Sequence, residues 1–186
     1  MEHVTVEIRG TTGAGVGLVL RPWRDEDAES LVEAYRDPLL RRWTSHQLDS
    51  RDDALRWLAV QRDGWRDGTR LGFAVLADRA DDHRLWGNVV LKRPDPAGGS
   101  AEVGYWTAAH ARGRGVAPQA LAALTDWAVD TLAGDGLTRL VLLHQVDNPA
   151  SCRVADKAGY RFERVLPAEP PFPNDGHLHV RWTASG

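Results

Sequence analysis

Cysteine is almost absent from the sequence, because Cys152 is the only one among 186 residues. A single cysteine excludes an internal disulfide and fits a reducing compartment. The chain also lacks any apolar run that approaches the roughly 18 residues a membrane span needs. Its first residues show no basic segment followed by an apolar one, as a signal peptide would. We therefore expect a cytoplasmic protein with no membrane partner.

An excess of positive charge is also missing, since the formal net charge is −3. This balance argues against broad electrostatic binding to nucleic acid, so no nucleic-acid partner is expected. With 42% hydrophobic and 26% charged residues, the composition is that of a globular chain long enough for one domain, residues 1–186. Eight tryptophans are many for this length. They suit a core, a pocket or a homodimer interface, and composition leaves these alternatives open.

Hydrophobic periodicity predicts alternating strands and helices along the chain. The first two strands form a hairpin around a glycine-rich turn at residues 10–17, and residues 39–43 are interpreted as a short turn. That glycine-rich segment precedes a strand, so it lacks the context of a nucleotide loop. The predicted strands are residues 4–8, 18–20, 71–77, 85–91, 101–107, 137–143, 160–166 and 178–182. The predicted helices are residues 28–36, 50–65, 116–132 and 149–158.

The segment at residues 112–117, Arg-Gly-Arg-Gly-Val-Ala, turns from a predicted strand into a predicted helix. Gly113 and Gly115 lack a Cβ, so the backbone can approach another group closely. The first N–H groups of the helix are unpaired, and the positive end of its dipole faces the same loop. Arg112 and Arg114 add charge. The corner therefore predicts an anion site, with a phosphate-bearing ligand as the first hypothesis.

Two spaced motifs then resemble the GNAT superfamily of acyl-CoA-dependent N-acetyltransferases. The first is the corner at residues 112–117. The second, at residues 148–160, reads Asn-Pro-Ala-Ser-Cys-Arg-Val-Ala-Asp-Lys-Ala-Gly-Tyr and is similar to the RimJ/RimL branch of that superfamily. The resemblance extends over roughly residues 16–182 and follows the predicted order of elements.

The resemblance implies an α/β GNAT fold, with a mixed, mostly antiparallel sheet of about seven strands, about four flanking helices and an N-terminal hairpin extension. It also implies acetyl-CoA as the co-substrate. A bulge late in the strand at residues 101–107 would expose backbone to the pantetheine arm. The implied cofactor-binding residues are Tyr105, Trp106, Thr107, Arg112, Gly113, Arg114, Gly115, Val116, Ala117, Asn148 and Ser151. Asn148 and Ser151 also suit simple helix capping, and the two roles are compatible.

Acetyl transfer to an amine needs a base for the amine and a proton for the departing thiolate. Glu102 is the first candidate base, because related enzymes place theirs on this strand, although it also suits an ion-paired glutamate at a sheet edge. His144 is the second candidate, with a structural hydrogen bond as its alternative. Many GNAT members carry a tyrosine acid four residues after the Ser151 position, where this chain has Ala155. Ser151 is the natural replacement, and water is the other.

Cys152 is interpreted as a small packed residue, since no base is evident for it and GNAT transfer is direct. His177 and His179 share a strand face with Arg181, which favours solvent exposure. Without acidic or cysteine partners at ligand spacing, no metal site is expected.

These residues predict an acetyl-CoA-dependent N-acetyltransferase that acetylates a primary amine by direct attack. The acceptor is a peptide, such as a protein N-terminus, or a small molecule. Asp49, Asp52 and Asp53 would attract a cationic acceptor, or simply begin a solvated helix. The alternative is a GNAT-like module that binds acyl-CoA without turning it over.

Overall fold

A computed structural model describes residues 6–44, 46–79, 82, 84–93, 95–170 and 173–183. This part of the chain forms eight strands and five α-helices. The strands are β1 Ile8–Thr11, β2 Gly17–Pro22, β3 Arg70–Ala77, β4 Leu85–Lys92, β5 Ser100–Thr107, β6 Arg139–Gln145, β7 Arg161–Leu166 and β8 Gly176–Trp182. The helices are α1 Ala28–Ala34, α2 Pro38–Trp43, α3 Arg51–Asp67, α4 Val116–Leu132 and α5 Pro149–Lys157. Within these ranges no helix is long and apolar enough to cross a membrane.

All eight strands join one sheet in the order β1-β2-β3-β4-β5-β6-β8-β7. Every neighbouring pair is antiparallel except β5 and β6, which run parallel. The mixed, mostly antiparallel α/β sheet is therefore confirmed. It has one strand more than expected, because the N-terminal hairpin pairs onto β3 and becomes part of the sheet.

Two apolar cores lie on the two faces of the sheet. Helices α4 and α5 cover one face, where Leu121, Leu124 and Ala155 are fully buried against strand residues such as Val103. Helices α1, α2 and α3 cover the other face through residues that include Leu31, Tyr35, Leu40 and Leu58. Because side chains alternate along a strand, neighbouring residues of β5 contribute to different faces.

Most tryptophans belong to these cores. Trp23, Trp57 and Trp106 pack together on the face covered by α1–α3, with ring centroids 5.1 and 6.3 Å apart for the pairs that Trp23 makes. Trp86 is buried as well, whereas Trp182 is 66% exposed. Burial thus accounts for much of the unusual tryptophan content, and the homodimer stays a prediction.

Two local predictions are wrong. Residues 38–43 form helix α2 and not a turn, because the Asp37 side chain accepts a hydrogen bond from Leu39 N–H and Pro38 occupies the first turn. The first strand begins at Ile8, later than the alternation at residues 4–8 suggested. Residues 1–5 lie outside the described part of the chain. The predicted hairpin of β1 and β2 around a glycine-rich turn is confirmed.

Candidate active site

The sheet opens between β5 and β6. These strands pair only from Ser100 to Val103 on β5 and from Arg139 to Leu142 on β6. Beyond Val103, β5 stays paired with β4 as far as Thr107, but the residues described here provide no strand partner on its other edge. The backbone of residues 104–107 therefore has free hydrogen-bonding groups facing a gap.

The opening does not use the expected bulge in β5. The register between β4 and β5 runs without a shift from the Lys92–Glu102 pair to the Gly87–Thr107 pair. The prediction of a bulge is therefore wrong for this pairing. The gap arises because the parallel strand β6 diverges while β5 remains regular.

The corner at the start of α4 follows the opening directly. Gly113 and Gly115 have φ angles of 72° and 76°, in the left-handed region that costs other residues about 1–2 kcal/mol. Gly115 is the N-cap of α4, and no acidic residue lies in the first turn. A Cβ added at Gly113 would meet no atom within 4 Å, whereas one at Gly115 would lie 3.8 Å from Thr12. The free N–H groups of this turn thus surround a space that an anion can approach.

The two arginines of the corner have different partners. The Arg112 guanidinium forms an ion pair with Asp37, the N-cap of α2. Burial acts to raise the pKa of the Asp37 carboxyl. The ion pair and backbone N–H bonds outweigh it, so the pKa is lowered. Arg114 instead lies over the Trp86 ring, 5.6 Å from the centroid. Arg114 is therefore the cation better placed to meet an anion, while Arg112 ties the corner to α2.

A hydroxyl pair lies at the gap. The Tyr105 Oη–H donates a hydrogen bond to Ser151 Oγ across 2.9 Å. Burial raises the pKa of Tyr105 despite the opposing effect of this bond, so the phenol stays protonated at neutral pH. Asn148 caps α5 by accepting from Ser151 N–H at 3.3 Å, and Ala155 is fully buried in the core. Sequence reasoning named the backbone of Tyr105 and missed its side chain.

Glu102 lies on the other face of the sheet. It pairs with Lys92 across the β4–β5 ladder, with Nζ and Oε1 2.6 Å apart. Because Glu102 and Tyr105 are an odd number of positions apart, their side chains point to opposite faces. Glu102 lines an open groove of about 600 Å³ between α3 and the sheet, together with Val60, Asp63, Gly64, Asp67, Thr69, Arg70 and Lys92.

His46 is a further titratable group on this side. Desolvation lowers its pKa, and the nearby cations Arg70 and Lys92 lower it further. Its imidazole is therefore held neutral, as a base must be. The sequence gives no signal for this placement, because His46 follows α2 in a connecting segment without a motif.

The second base candidate, His144, lies away from Glu102. Its Nδ1 is 2.8 Å from the Gln145 carbonyl, and its Nε2 is 3.2 Å from His179 Nε2. Burial is the main cause that lowers the pKa of both His144 and His179. The structural alternative for His144 is thus the one that the contacts favour.

The expectations for Cys152, His177 and His179 need correction. His179 is only 2% exposed, so its predicted solvent exposure is wrong, and His177 is half-buried. Cys152 is not without basic neighbours, since its Sγ lies 3.5 Å from His144 Nε2 and 3.3 Å from His177 Nδ1. Burial raises the pKa of the Cys152 thiol. No metal site was expected because the histidines had no acidic or cysteine partner at ligand spacing. The position of Cys152 beside His144 and His177 removes that reason.

A mixed sheet that opens beside a helix start with free N–H groups defines a class of fold suited to a long, phosphate-bearing ligand. The chain belongs to the acetyltransferase (GNAT) domain family, whose model matches residues 17–161. It is 34% identical over 110 residues to the ribosomal-protein-serine acetyltransferase of Escherichia coli (strain K12). That alignment spans 59% of this chain and 59% of the relative's length.

Solved structures share the fold over most of the chain. A Vibrio cholerae protein described as a candidate ribosomal-protein-serine acetyltransferase superposes with a TM-score of 0.81 at 23% identity, over 97% of this chain and 99% of that one. Mycobacterium smegmatis RimJ, solved with CoA-disulfide, has a TM-score of 0.77 at 24% identity, over 95% of this chain and 86% of that one. The GNAT fold and the RimJ/RimL-like resemblance are thereby confirmed.

Proposed function

We propose that this protein transfers the acetyl group of acetyl-CoA to a primary amine by direct attack. The observation that carries the proposal is the gap between β5 and β6, with the Tyr105–Ser151 hydroxyl pair beside it. Such a gap gives a thioester a channel through the sheet, and it lets groups on both faces act on one reacting centre.

Two parts of the donor, its pyrophosphate and its pantetheine arm, have candidate binding residues. Its pyrophosphate would lie against the N–H groups of residues 113–117, with Arg114 adding charge. Its pantetheine arm would pair with the free edge of β5 at Tyr105, Trp106 and Thr107. The space next to Gly113, where an added Cβ would meet nothing, supports this position for the phosphates.

The residues divide the proton transfers between the two faces. Glu102 would take the proton from the acceptor ammonium, directly or through water, in the groove where Lys92 holds its carboxylate. On the other face, Tyr105 would supply a proton through Ser151 to the departing sulfur, and the second proton that the nitrogen releases on attack would return to the Tyr105 phenolate through water. When bound, acetyl-CoA supplies the activated carbonyl. The gap between β5 and β6, where the thioester would lie, would connect Glu102 on one face with Tyr105 and Ser151 on the other.

The acceptor is a peptide amine or a small amine. The name of the Escherichia coli relative, ribosomal-protein-serine acetyltransferase, favours a peptide amine by analogy. Charge in the groove favours neither, because Asp63, Asp67 and Glu102 are matched by Arg70 and Lys92 within it and by Arg66 beside it. Of the carboxylates considered from the sequence, Asp53 forms a capping box with Ser50 and Asp49 pairs with Arg41. The contacts of Asp53 thus stabilise the start of α3, and Asp49 forms an ion pair with α2.

An assay of thiol release over a panel of peptide N-termini and small amines, with mass spectrometry of the products, tests the proposal. Calorimetry against acetyl-CoA, ATP and NAD tests the donor separately. Tight acetyl-CoA binding with silence across the whole panel would favour the acyl-CoA-binding module. Preference for ATP or NAD would overturn the donor assignment. The Tyr105–Ser151 pair weakens the case for the module, because Ala155 no longer implies that a phenol is missing.

A further inference from the structure

Four side chains with metal-binding atoms converge on the face of the sheet covered by α5. They are His144, Cys152, His177 and His179, and one donor atom from each lies within 4.8 Å of all the others. Three of the separations are 3.2 Å between the Nε2 atoms of His144 and His179, 3.5 Å from Cys152 Sγ to His144 Nε2, and 3.3 Å from Cys152 Sγ to His177 Nδ1. No step of the proposed acetyl transfer uses this cluster.

The register of the sheet brings the histidines together. His144 on β6 is directly opposite His177 on β8, and Leu142 is opposite His179. Because side chains alternate, all three histidines point to the same face. Cys152 reaches them from α5, four positions after its N-cap Asn148. The cluster therefore depends on two strands and a helix, and no short sequence motif contains it.

The surroundings suit a bound cation. The Nδ1 of His144 can donate to the Gln145 carbonyl at 2.8 Å, which leaves the Nε2 lone pair directed at the cluster, as in most metal-ligating histidines. His179 is only 2% exposed, so the cluster is shielded from water on that side. The Phe162 ring closes one side, 5.1 Å from His177 and 5.7 Å from His179.

We propose that His144, Cys152, His177 and His179 form a four-ligand tetrahedral site for a zinc ion. With Zn–N near 2.0–2.1 Å and Zn–S near 2.3 Å, the edges of a tetrahedron are about 3.3 Å between nitrogens and about 3.6 Å between sulfur and nitrogen. The three separations above are close to those values. Nitrogen and thiolate ligands suit zinc, and four protein ligands leave no open position, so the site is structural.

Binding leaves the oxidation state of the metal and the sulfur unchanged. The Cys152 S–H bond breaks, the thiolate electron pair forms the S–Zn bond, and about one proton passes to the buffer. Each neutral imidazole donates one nitrogen lone pair. The metal would then join α5 to β6 and β8 beside Ser151, which precedes Cys152. It would hold the Ser151 hydroxyl against Tyr105, although the site itself does not depend on the proposed acetyl transfer.

Metal titration of untagged, chelator-treated protein tests the site. Zinc competition against a chromophoric chelator should give one tight site per chain. Cys152→Ser and His177→Ala should each weaken it about 100-fold or more, beyond the usual effect of losing an outer-shell partner. His110→Ala removes a histidine outside the cluster and should bind zinc like the parent. Cobalt(II) should give the visible bands of a tetrahedral site, with a thiolate charge-transfer band that Cys152→Ser removes.

Thermal unfolding provides a readout that does not rest on activity. Zinc should raise the Tm of the parent and of His110→Ala by mass action, but not that of Cys152→Ser or His177→Ala. Circular dichroism of the two ligand variants checks that they fold. Weak binding by the parent, or equal binding by all variants, overturns the site. Tight zinc binding without the cobalt charge-transfer band would show that Cys152 is not a ligand, and would overturn the four-ligand arrangement.

Discussion

The Tyr105 hydroxyl reaches Ser151 Oγ at 2.9 Å and so connects β5 with the first turn of α5, 46 residues later in the chain. The bond lies at the gap where β5 and β6 separate. Many GNAT members carry a tyrosine acid at the position of Ala155, which lies on α5 here. In this chain the phenol next to Ser151 is that of Tyr105, which comes from β5 and not from α5.

Tyr105→Phe should lower kcat about 100-fold with little change in the KM for acetyl-CoA, because it removes a proton donor and keeps the ring. Steady-state rates with a responsive amine measure this. Tyr160→Phe is the matched control. It removes the buried Tyr160 hydroxyl that is hydrogen-bonded to Thr125, while Thr125 keeps its bond to the Leu121 carbonyl. The change should therefore cost about 1 kcal/mol of stability and leave kcat unchanged. Equal losses of kcat in both variants would remove Tyr105 from the mechanism.

The pH profile gives an independent check on Tyr105. Burial raises the pKa of its phenol above the ordinary value near 10, so the acid form persists into basic solution. The rate should therefore rise as the amine loses its proton and should fall only above about pH 10. Tyr105→Phe should lack that basic fall. A fall at neutral pH that survives the substitution would assign the acid to another group.

Local signals in the sequence predict the elements and the corner well. Helix α4 has the predicted bounds, Asn148 and Ser50 are the caps of their helices, and Gly113 and Gly115 have the backbone conformation that favours glycine. These features depend on neighbours within a turn of the chain.

Contacts between distant segments were not predictable in the same way. The bond from Tyr105 to Ser151 and the ion pair from Lys92 to Glu102 depend on which residues face each other across strands. The sequence shows that His177 and His179 share a face, but only the register of β8 against β6 puts His144 beside them. A shift of one residue would reverse every side chain, and periodicity does not fix that register.

Glu102→Gln should lower kcat/KM for the amine about 100-fold at neutral pH and much less at a pH where the amine is already deprotonated. The amide cannot accept the proton, but a neutral acceptor no longer needs a base. Rates across the pH range measure the recovery. Glu163→Gln removes a carboxylate at the far edge of the sheet, where it pairs with Arg139 and Arg164, and should follow the parent. A loss that is equal at every pH would favour a positioning role for Glu102.

His46→Ala tests the other titratable group on the Glu102 face. If His46 shares the base role, its lowered pKa keeps it neutral to lower pH, so its loss should reduce kcat/KM mainly on the acid side of the profile. Parent-like rates in His46→Ala, together with a loss in Glu102→Gln, would assign the base to Glu102 alone.

Gly113→Ala should weaken acetyl-CoA binding about 10-fold, because its Cβ and the shifted backbone would occupy the approach to the helix start. Gly136→Ala is the control, since Gly136 has a similar φ of 77° and its Cβ would also meet no atom within 4 Å. Both should lose about 1–2 kcal/mol of stability, and only the first should lose affinity. Calorimetry and thermal unfolding separate the effects. Equal affinities in the two variants would contradict the phosphate site.

The different partners of the two corner arginines lead to the last prediction. Arg114→Gln should raise the Kd for acetyl-CoA about 10-fold at low salt and less at high salt, because the cation over Trp86 has no carboxylate partner in the described part of the chain. Arg112→Gln should mainly reduce stability, since it leaves Asp37 at the start of α2 without its ion pair. Arg164→Gln controls for the change in net charge. Calorimetry at two salt concentrations, with unfolding curves for each variant, measures both effects. A larger loss of affinity in Arg112→Gln than in Arg114→Gln would mean that Arg112 leaves Asp37 to bind the phosphates.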